Sequence, residues 1–550
     1  MLQQLVARKT REELLEGAAS AHGVTLTRSL STWDLLAIGV GSTVGTGVFS
    51  ITGEVANQEA GPAVVLCWCF GGFGCLLSAL SYMELSARIP AAGAGYAFAY
   101  HLLGEVFAVC GAALITLEYG ISASAVAANW GEKFRTLLTS AGAIQLAAKS
   151  IVQLGPLTLS FPALAVLVAV TGMVYLGGDL GKRFARGSSA LAVILILLMT
   201  IIASTSFEAS NFQPFVPREF GIGGVMAGCV TTFFGFLGFD EVCCMAGEAL
   251  QPEKTVPRAL IGTLLCATIL PVAASLALVG FTPYNLINPS SGFAVAFHER
   301  GWIALSYVVQ LGQLVVLFVV TYMCFLAQPR VFYALARDGL LPQKFAELND
   351  ANEPWFATLM TGFLVIICGT FLPFDTLANA ISGGVCVNFN LVNCCVVMIH
   401  GGQDGDNPSR RLGASLASFN LFSLVESLLL RQLLHGEQSS ALWTIAAAVA
   451  LALLVSFVVI WCSVRQEAGE NTVGTEAFFR VPCLPLLPCC AMLFNNVMIS
   501  SMKGLDFLLL ASYLAIVVCP YLLFAWRYSQ HRMSIRCEEI SFSSSRANAT

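Results

Sequence analysis

Fourteen apolar runs follow one another along this chain of 550 residues. Each is about as long as a helix needs to be to cross the ~30 Å hydrocarbon core of a bilayer. With no water in that core to satisfy backbone polar groups, such runs fold only as spanning helices or as a closed barrel, and their length specifies helices. The spans are expected at about 34–56, 62–84, 104–130, 158–177, 188–206, 222–247, 258–282, 303–334, 356–373, 376–399, 413–433, 441–462, 483–501 and 505–526, with 142–156 as a short re-entrant or interfacial piece. Charged residues make up only 11% of the chain, against about a quarter in soluble domains, which excludes a soluble fold. The fold class is therefore an all-α polytopic membrane protein.

Charge orients it. Of the 28 Lys and Arg, 21 fall on the face that carries both termini and 7 on the other. Positive charge collects on the cytosolic side, so both termini are expected in the cytosol. The polar first 33 residues do not read as a cleavable leader, because the first apolar run is long enough to span. Most of the 19 cysteines sit inside spans, as in "CWCF", "VCCM" and "NCCVV", where cysteine serves as a small packing residue. No cofactor, metal cluster or disulfide framework is expected, and no nucleic-acid partner.

Two spans work against their own helicity. The first contains "IGVGSTVGTGVFS", Ile38 to Ser50, with four glycines and four hydroxyls; the sixth contains "TTFFGFLGFDEVCC", with Gly235 and Gly238 among aromatics and then Asp240 and Glu241. Each glycine costs a helix about 1 kcal/mol relative to alanine. First and sixth are corresponding positions if spans 1–5 and 6–10 are two structural halves. Interrupted spans at corresponding positions point to a binding site at the bilayer midplane. A broken helix exposes amides at the start of one half, suited to a carboxylate, and carbonyls at the end of the other, suited to an ammonium. A zwitterionic α-amino acid presents both groups. The competing reading of "GVGSTVG" is close helix packing through Gly41 and Gly45, and the glycines at 71, 72, 74, 383 and 384 are read as packing.

The stretches "GVGSTVGTGVF", "ELSARIPAAGAGYAFAY", "LEYGISASAVA", "GFDEVCCMAGEALQPEKTVPRALIG" and "AQPRVFYALARDGLLP" resemble the cationic amino acid transporters of the amino acid–polyamine–organocation superfamily, over about residues 30–400 and again at "FRVPCLPLLP". The resemblance implies a LeuT-type 5+5 inverted repeat with four additional C-terminal helices. It divides the chain into a cytosolic segment (1–33), a ten-helix core (34–400, repeats 34–206 and 222–400), a linker (401–412), four further helices (413–526) and a cytosolic tail (527–550). It implies that Gly45, Thr46 and Gly47 receive the substrate carboxylate, and that the carbonyls of Thr43 and Leu237 share the α-ammonium. Phe234 and Phe236 would flank the ligand beside Gly235, with Phe234 at the aromatic gate, and Asp240 falls on the family's acid after the break.

Ionisable residues inside spans are functional candidates by default. Glu118, deep in the third span, is the strongest; the resemblance puts it on the substrate cavity, and the plain alternative is a carboxyl satisfied by Thr116 or Ser122. Asp240 either touches the ligand or holds the half-helix. Glu248, Lys254, Arg88 and Arg330 read as a cytosolic gate, Asn129, Asn388, Asn390 and Asn393 as interhelical hydrogen bonds, Glu426 as packing or an oligomer contact, and His101 and His400 as solvated span ends. Proton-coupled relatives carry a lysine in the fifth span, and 187–204 has none. Voltage-driven uniport, or coupling to protons through Glu118, are the two modes left. The expected partners are an amino acid substrate, the lipid bilayer and, in the second mode, protons. The expected function is transport of cationic amino acids (arginine, lysine, ornithine) by alternating access in a plasma or vacuolar/lysosomal membrane. Neutral amino acids, polyamines or a non-transporting sensor are the alternatives. An enzyme is not expected, since no metal-ligand cluster, nucleophile–base pair or nucleotide loop is present.

Overall fold

The structure is a computed structural model that describes residue 8 and residues 30–90, 94–155, 157–176, 180–246, 249–349, 354–401, 410–435, 440–470 and 479–523. Most of the expected terminal segments and of the 401–412 linker, and Glu248, lie outside the described residues. Among the described residues, ten helices are long and apolar enough to cross a membrane, and four shorter apolar helices stand at the remaining expected positions: Phe161–Leu176, Ser189–Ser204, Trp355–Phe371 and Leu486–Ser501.

The first span starts where its sequence caps it. Ser31 Oγ accepts from the Asp34 amide at 3.3 Å and Asp34 Oδ2 accepts from the Ser31 amide at 3.1 Å, a reciprocal capping box. Helix α1 (Thr32–Thr46) passes without a gap into a π turn (Gly47–Ile51) and then α2 (Thr52–Gln58). The glycines and hydroxyls of the first span point to an interruption around Thr43–Gly47, but the α-helix runs through Thr46 and the π turn begins only at Gly47. The chain widens there without unwinding, because a π turn shifts the hydrogen-bond register instead of abandoning it. After α3 (Val64–Arg88) and the short α4 (Gly95–Leu102), the third span repeats the device: α5 (Glu105–Thr116), a π turn (Leu117–Ile121) and α6 (Ser122–Ser140).

The expected re-entrant piece is a short helix, α7 (Ile144–Ser150), and an antiparallel hairpin of β1 (Ile151–Leu154) and β2 (Leu157–Ser160), with Ile151 opposite Ser160. This defines the hairpin end of the bundle. Helices α8 (Phe161–Leu176) and α9 (Leu180–Ser204) complete the first half.

The sixth span breaks outright. Helix α10 (Gly221–Phe233) tightens into a 3₁₀ turn (Phe234–Phe236), Leu237 adopts an extended ψ of 143°, Gly238 takes φ +95°, and the chain resumes as α11 (Glu241–Cys244). Only glycine enters that left-handed region without strain. The second half continues through α12 (Pro252–Phe281), α13 (Gly292–Glu299), α14 (Ile303–Arg337), α15 (Trp355–Phe371) and α16 (Phe374–Gly401). Helix α12 packs along both α1 and α3, and the main buried core lies where these meet α10 and α16.

Four further helices follow, α17 (Arg410–His435), α18 (Ser440–Glu470), α19 (Leu486–Ser501) and α20 (Gly504–Leu523), and polar bonds hold α19 to the core and to α17. Asn390 exchanges bonds of 3.0 Å with Asn495 and Asn496, Asn495 also donates to Ser78, and Asn496 reaches Ser423. Asn393 accepts from Ser81 at 2.7 Å. Each such bond contributes on average about 0.6 kcal/mol inside a membrane, so the ladder sets register more than stability. The expected bonding roles of Asn390 and Asn393 are seen here. His400, expected in solvent, instead contacts buried Glu84 at 2.5 Å; Arg88 and the Val481 amide, each at 2.7 Å, join the same carboxylate. Glu84 thereby ties α3, α16 and the approach to α19. Lys254 and Arg330 are exposed.

Candidate functional site

The two irregular spans touch at their glycines. A Cβ on Gly47 would stand 2.7 Å from Trp68 Cη2 and 3.1 Å from Gly235 Cα, and one on Gly235 would overlap the same indole. These glycines let the backbones of the π turn and the break meet under one ring. Phe236 tilts against Trp68 at 5.5 Å, and Phe234 packs edge-on to Phe374 of α16, also at 5.5 Å. Gly45 faces elsewhere: its added Cβ would lie 2.8 Å from Val316 on α14. Gly39 abuts Thr263 and Val242, and Gly41 abuts Ser189, so the early glycines pack helices together. Those at 71, 72, 74, 383 and 384 do the same against Phe236, Thr268, Phe494, Met502 and Leu117. Thr43 is buried and its hydroxyl returns to the Gly39 carbonyl at 2.8 Å. Thr46 closes α1; its side chain lies outside the described residues.

Ser42 links the first span to the break. Its hydroxyl lies 3.1 Å from the Gly238 carbonyl and equally near the Ile38 and Gly39 carbonyls of its own helix. The acids stand just beyond. Glu118, in the π turn of the third span, and Asp240, at the end of the break, are 2% and 1% exposed and close enough to act on each other. Asp240 Oδ2 accepts from Tyr119 at 3.0 Å, and Glu118 Oε2 accepts from Asn388 at 3.4 Å, which also reaches Tyr82 at 3.2 Å. Neither Thr116 nor Ser122 satisfies Glu118: Thr116 donates to the Ala112 carbonyl and accepts from Gln328, and the Ser122 hydroxyl has no partner. Glu118 Oε1, Asp240 Oδ1 and Glu241 Oε1 are buried without a hydrogen-bond partner. The Asp240 side chain makes no capping hydrogen bond to α11; Tyr119 of the third span is its partner.

Thus the structure brings Gly47, Gly235 and Phe236 together under Trp68, and Glu118 with Asp240 beside Tyr119. Thr43 and Gly45 it directs into helix packing. Trp68, Tyr82, Tyr119, Ser42 and Asn388 were not expected as neighbours of the site. Nothing local marks a tryptophan in an apolar run; Tyr119 was within reach, adjoining the acid in the middle of its span.

Known proteins share both sequence and fold. Residues 30–431 match the amino acid permease family. The methylthioribose transporter of Bacillus subtilis is 32% identical over 70% of this chain and 83% of its own. The branched-chain amino acid permease BcaP of the same organism is 31% identical over 71% and 84%. Cationic amino acid transporter 3, mitochondrial, of Arabidopsis thaliana is 29% identical over 96% and 95%. The crystal structure of MhsT in complex with L-phenylalanine aligns at TM-score 0.50 and 15% identity, covering 79% of this chain and 99% of that one, which gives the LeuT-type fold. Fold and relatives are those of transporters, and the chain is a multi-pass membrane protein that belongs to the amino acid permease family of the amino acid–polyamine–organocation superfamily.

Proposed function

We propose that this chain carries cationic α-amino acids, arginine, lysine and ornithine among them, across its membrane by alternating access, with the substrate held between the first and sixth spans. The observation that carries the reading is the buried pair Glu118 and Asp240, each with one oxygen unpartnered, set where a π turn and a helix break fall side by side. Carboxylates at that depth are costly unless they meet a cation or a proton. A guanidinium or ammonium side chain offers the donors those oxygens lack. The backbone around Gly47 and Gly235 takes the zwitterionic head once Trp68 withdraws, and Phe234 with Phe374 closes the hairpin side. The cationic amino acid transporters among the relatives favour the same substrates; on the charge bias, the hairpin end faces away from the cytosol.

A second reading, a neutral substrate, draws on the aromatic wall of Trp68, Phe234 and Phe236 and on the branched-chain permease among the relatives. Uptake of labelled arginine, leucine and putrescine into proteoliposomes separates the two. Arginine uptake that rises with an inside-negative potential, at about 2.3 kcal/mol per charge per 100 mV, and falls at least about tenfold in Glu118→Gln supports the cationic reading. Leucine uptake without arginine uptake overturns it, and arginine uptake untouched by Glu118→Gln removes the acid pair from the mechanism.

A further inference from the structure

At the hairpin end, next to the paired spans, lies a chamber of about 280 Å³. Ser50, in the π turn, and Asn129 and Lys133, on α6, form its buried floor, and Glu54, Glu132 and Asp375 stand on its wall. Ser50 and Asn129 are only 4% and 3% exposed, yet Ser50 Oγ and Asn129 Nδ2 have no hydrogen-bond partner. Buried polar atoms in native proteins are almost always bonded, so two orphans on one cavity floor mark a place where something else supplies the bond. Lys133 is fully buried, and its ammonium donates to the Phe49 carbonyl at 2.8 Å. That carbonyl belongs to the π turn, whose wide register leaves it for a donor from outside the helix. Lysine is almost never buried unpaired, so the floor is a built feature.

The charges describe the ligand. Glu132 is engaged by Arg135 at 2.5 Å. That leaves one cation, Lys133, and two carboxyls, Glu54 and Asp375, on the lining; Lys503 and Glu59, one of each sign, act on this group from outside it and leave its net charge unchanged. One positive and two negative groups complement an amino acid with one carboxylate and two cations. Phe374 lines the chamber, and Phe234, packed on it, borders the helix break, so this pair of rings divides the chamber from the site described above.

We propose that the chamber is a second binding site for a cationic amino acid, its carboxylate on Ser50, Asn129 and Lys133 and its two cations on Glu54 and Asp375. The assignment rests on the cationic reading of the transport function. Equilibrium binding of radiolabelled arginine to the purified full-length protein tests it. The expected result is two equivalents in the wild type. Asn129→Leu should lose one of them, and Asp375→Asn, a rim change that leaves the buried floor intact, should weaken that same one by about tenfold or more. The other equivalent should persist in both variants and be the one weakened by Glu118→Gln. Wild-type protein that transports arginine but binds a single equivalent overturns the chamber site and leaves the transport function standing. So do two equivalents that neither Asn129→Leu nor Asp375→Asn alters. Wild-type protein that neither binds nor transports arginine overturns both.

Discussion

Gly235→Ala probes the contact on which the paired spans depend. A methyl group there overlaps the Trp68 indole and lies 3.0 Å from Gly47 Cα. A backbone and a fully buried ring cannot yield as a flexible side chain can. Overpacking of this kind costs about 1–3 kcal/mol, a factor of roughly 5 to 150 in the population of this conformation. The overlap is with Cη2 and Cζ3 of the indole, atoms that phenylalanine lacks. The Trp68 Nε1 has no hydrogen-bond partner, so Trp68→Phe gives up packing without breaking a bond. The double variant should therefore recover about 1–2 kcal/mol relative to the sum of the single effects, within the range seen for residues in contact. Thermal unfolding of all four proteins in one detergent gives the stability cycle, and initial uptake rates give its functional counterpart. A Gly235→Ala protein with wild-type melting and uptake, or single effects that simply add, would refute the close approach of the two backbones beneath Trp68.

Two further outcomes follow from single contacts. Tyr119→Phe removes the donor to Asp240 at 3.0 Å; leaving that buried acceptor unmet should cost about 1–3 kcal/mol, read as uptake reduced about tenfold or more at an unchanged level of folded protein. Glu84→Gln keeps the side chain's shape but withdraws the charge that Arg88 and His400 share. Breaking a buried ion pair costs about 3–5 kcal/mol, so its melting temperature should fall far more than that of Tyr119→Phe, and equal melting would remove the clamp from the account of stability.

The sixth-span break was legible because its chemistry is local: Gly238 sits at a positive φ that glycine takes without strain. The first span misled for a related reason. Its glycines suggest unwinding, yet they are spent on contacts with Val316, Ser189 and Thr263, and the irregularity comes later in "GVFSI", where apart from Gly47 the composition is that of an ordinary helix. A π turn leaves no sequence signature when its open carbonyl is met by a lysine two spans away, as Phe49 is by Lys133. Glu118 was legible from its depth, and Asp240 from its place after the break. That they would meet depends on how the third and sixth spans pack, which neither local sequence encodes. His400 was misread because a span end looks solvated until Glu84, 316 residues away, is brought beneath it.

The three irregular spans also constrain how the bundle moves. Each has backbone or acidic groups that its own helix does not satisfy, and in each case a different helix supplies a partner. Ser42 of the first span reaches the Gly238 carbonyl in the sixth; Lys133 of the third reaches the Phe49 carbonyl in the first; Tyr119 of the third reaches Asp240 in the sixth. Inside a bilayer no water stands ready to replace a bond that is lost. A displacement of one of these spans therefore strips partners from the other two unless they move with it, or unless a ligand or water admitted to the site takes over. The neighbouring helix α12 meets these spans through apolar contacts, which can slide, whereas α14 joins the third span through Gln328, which donates to Thr116. The first, third and sixth spans thus form the unit whose bonds must be exchanged together, and the unpartnered oxygens of Glu118 and Asp240 lie inside it, where an arriving cation can supply the exchange.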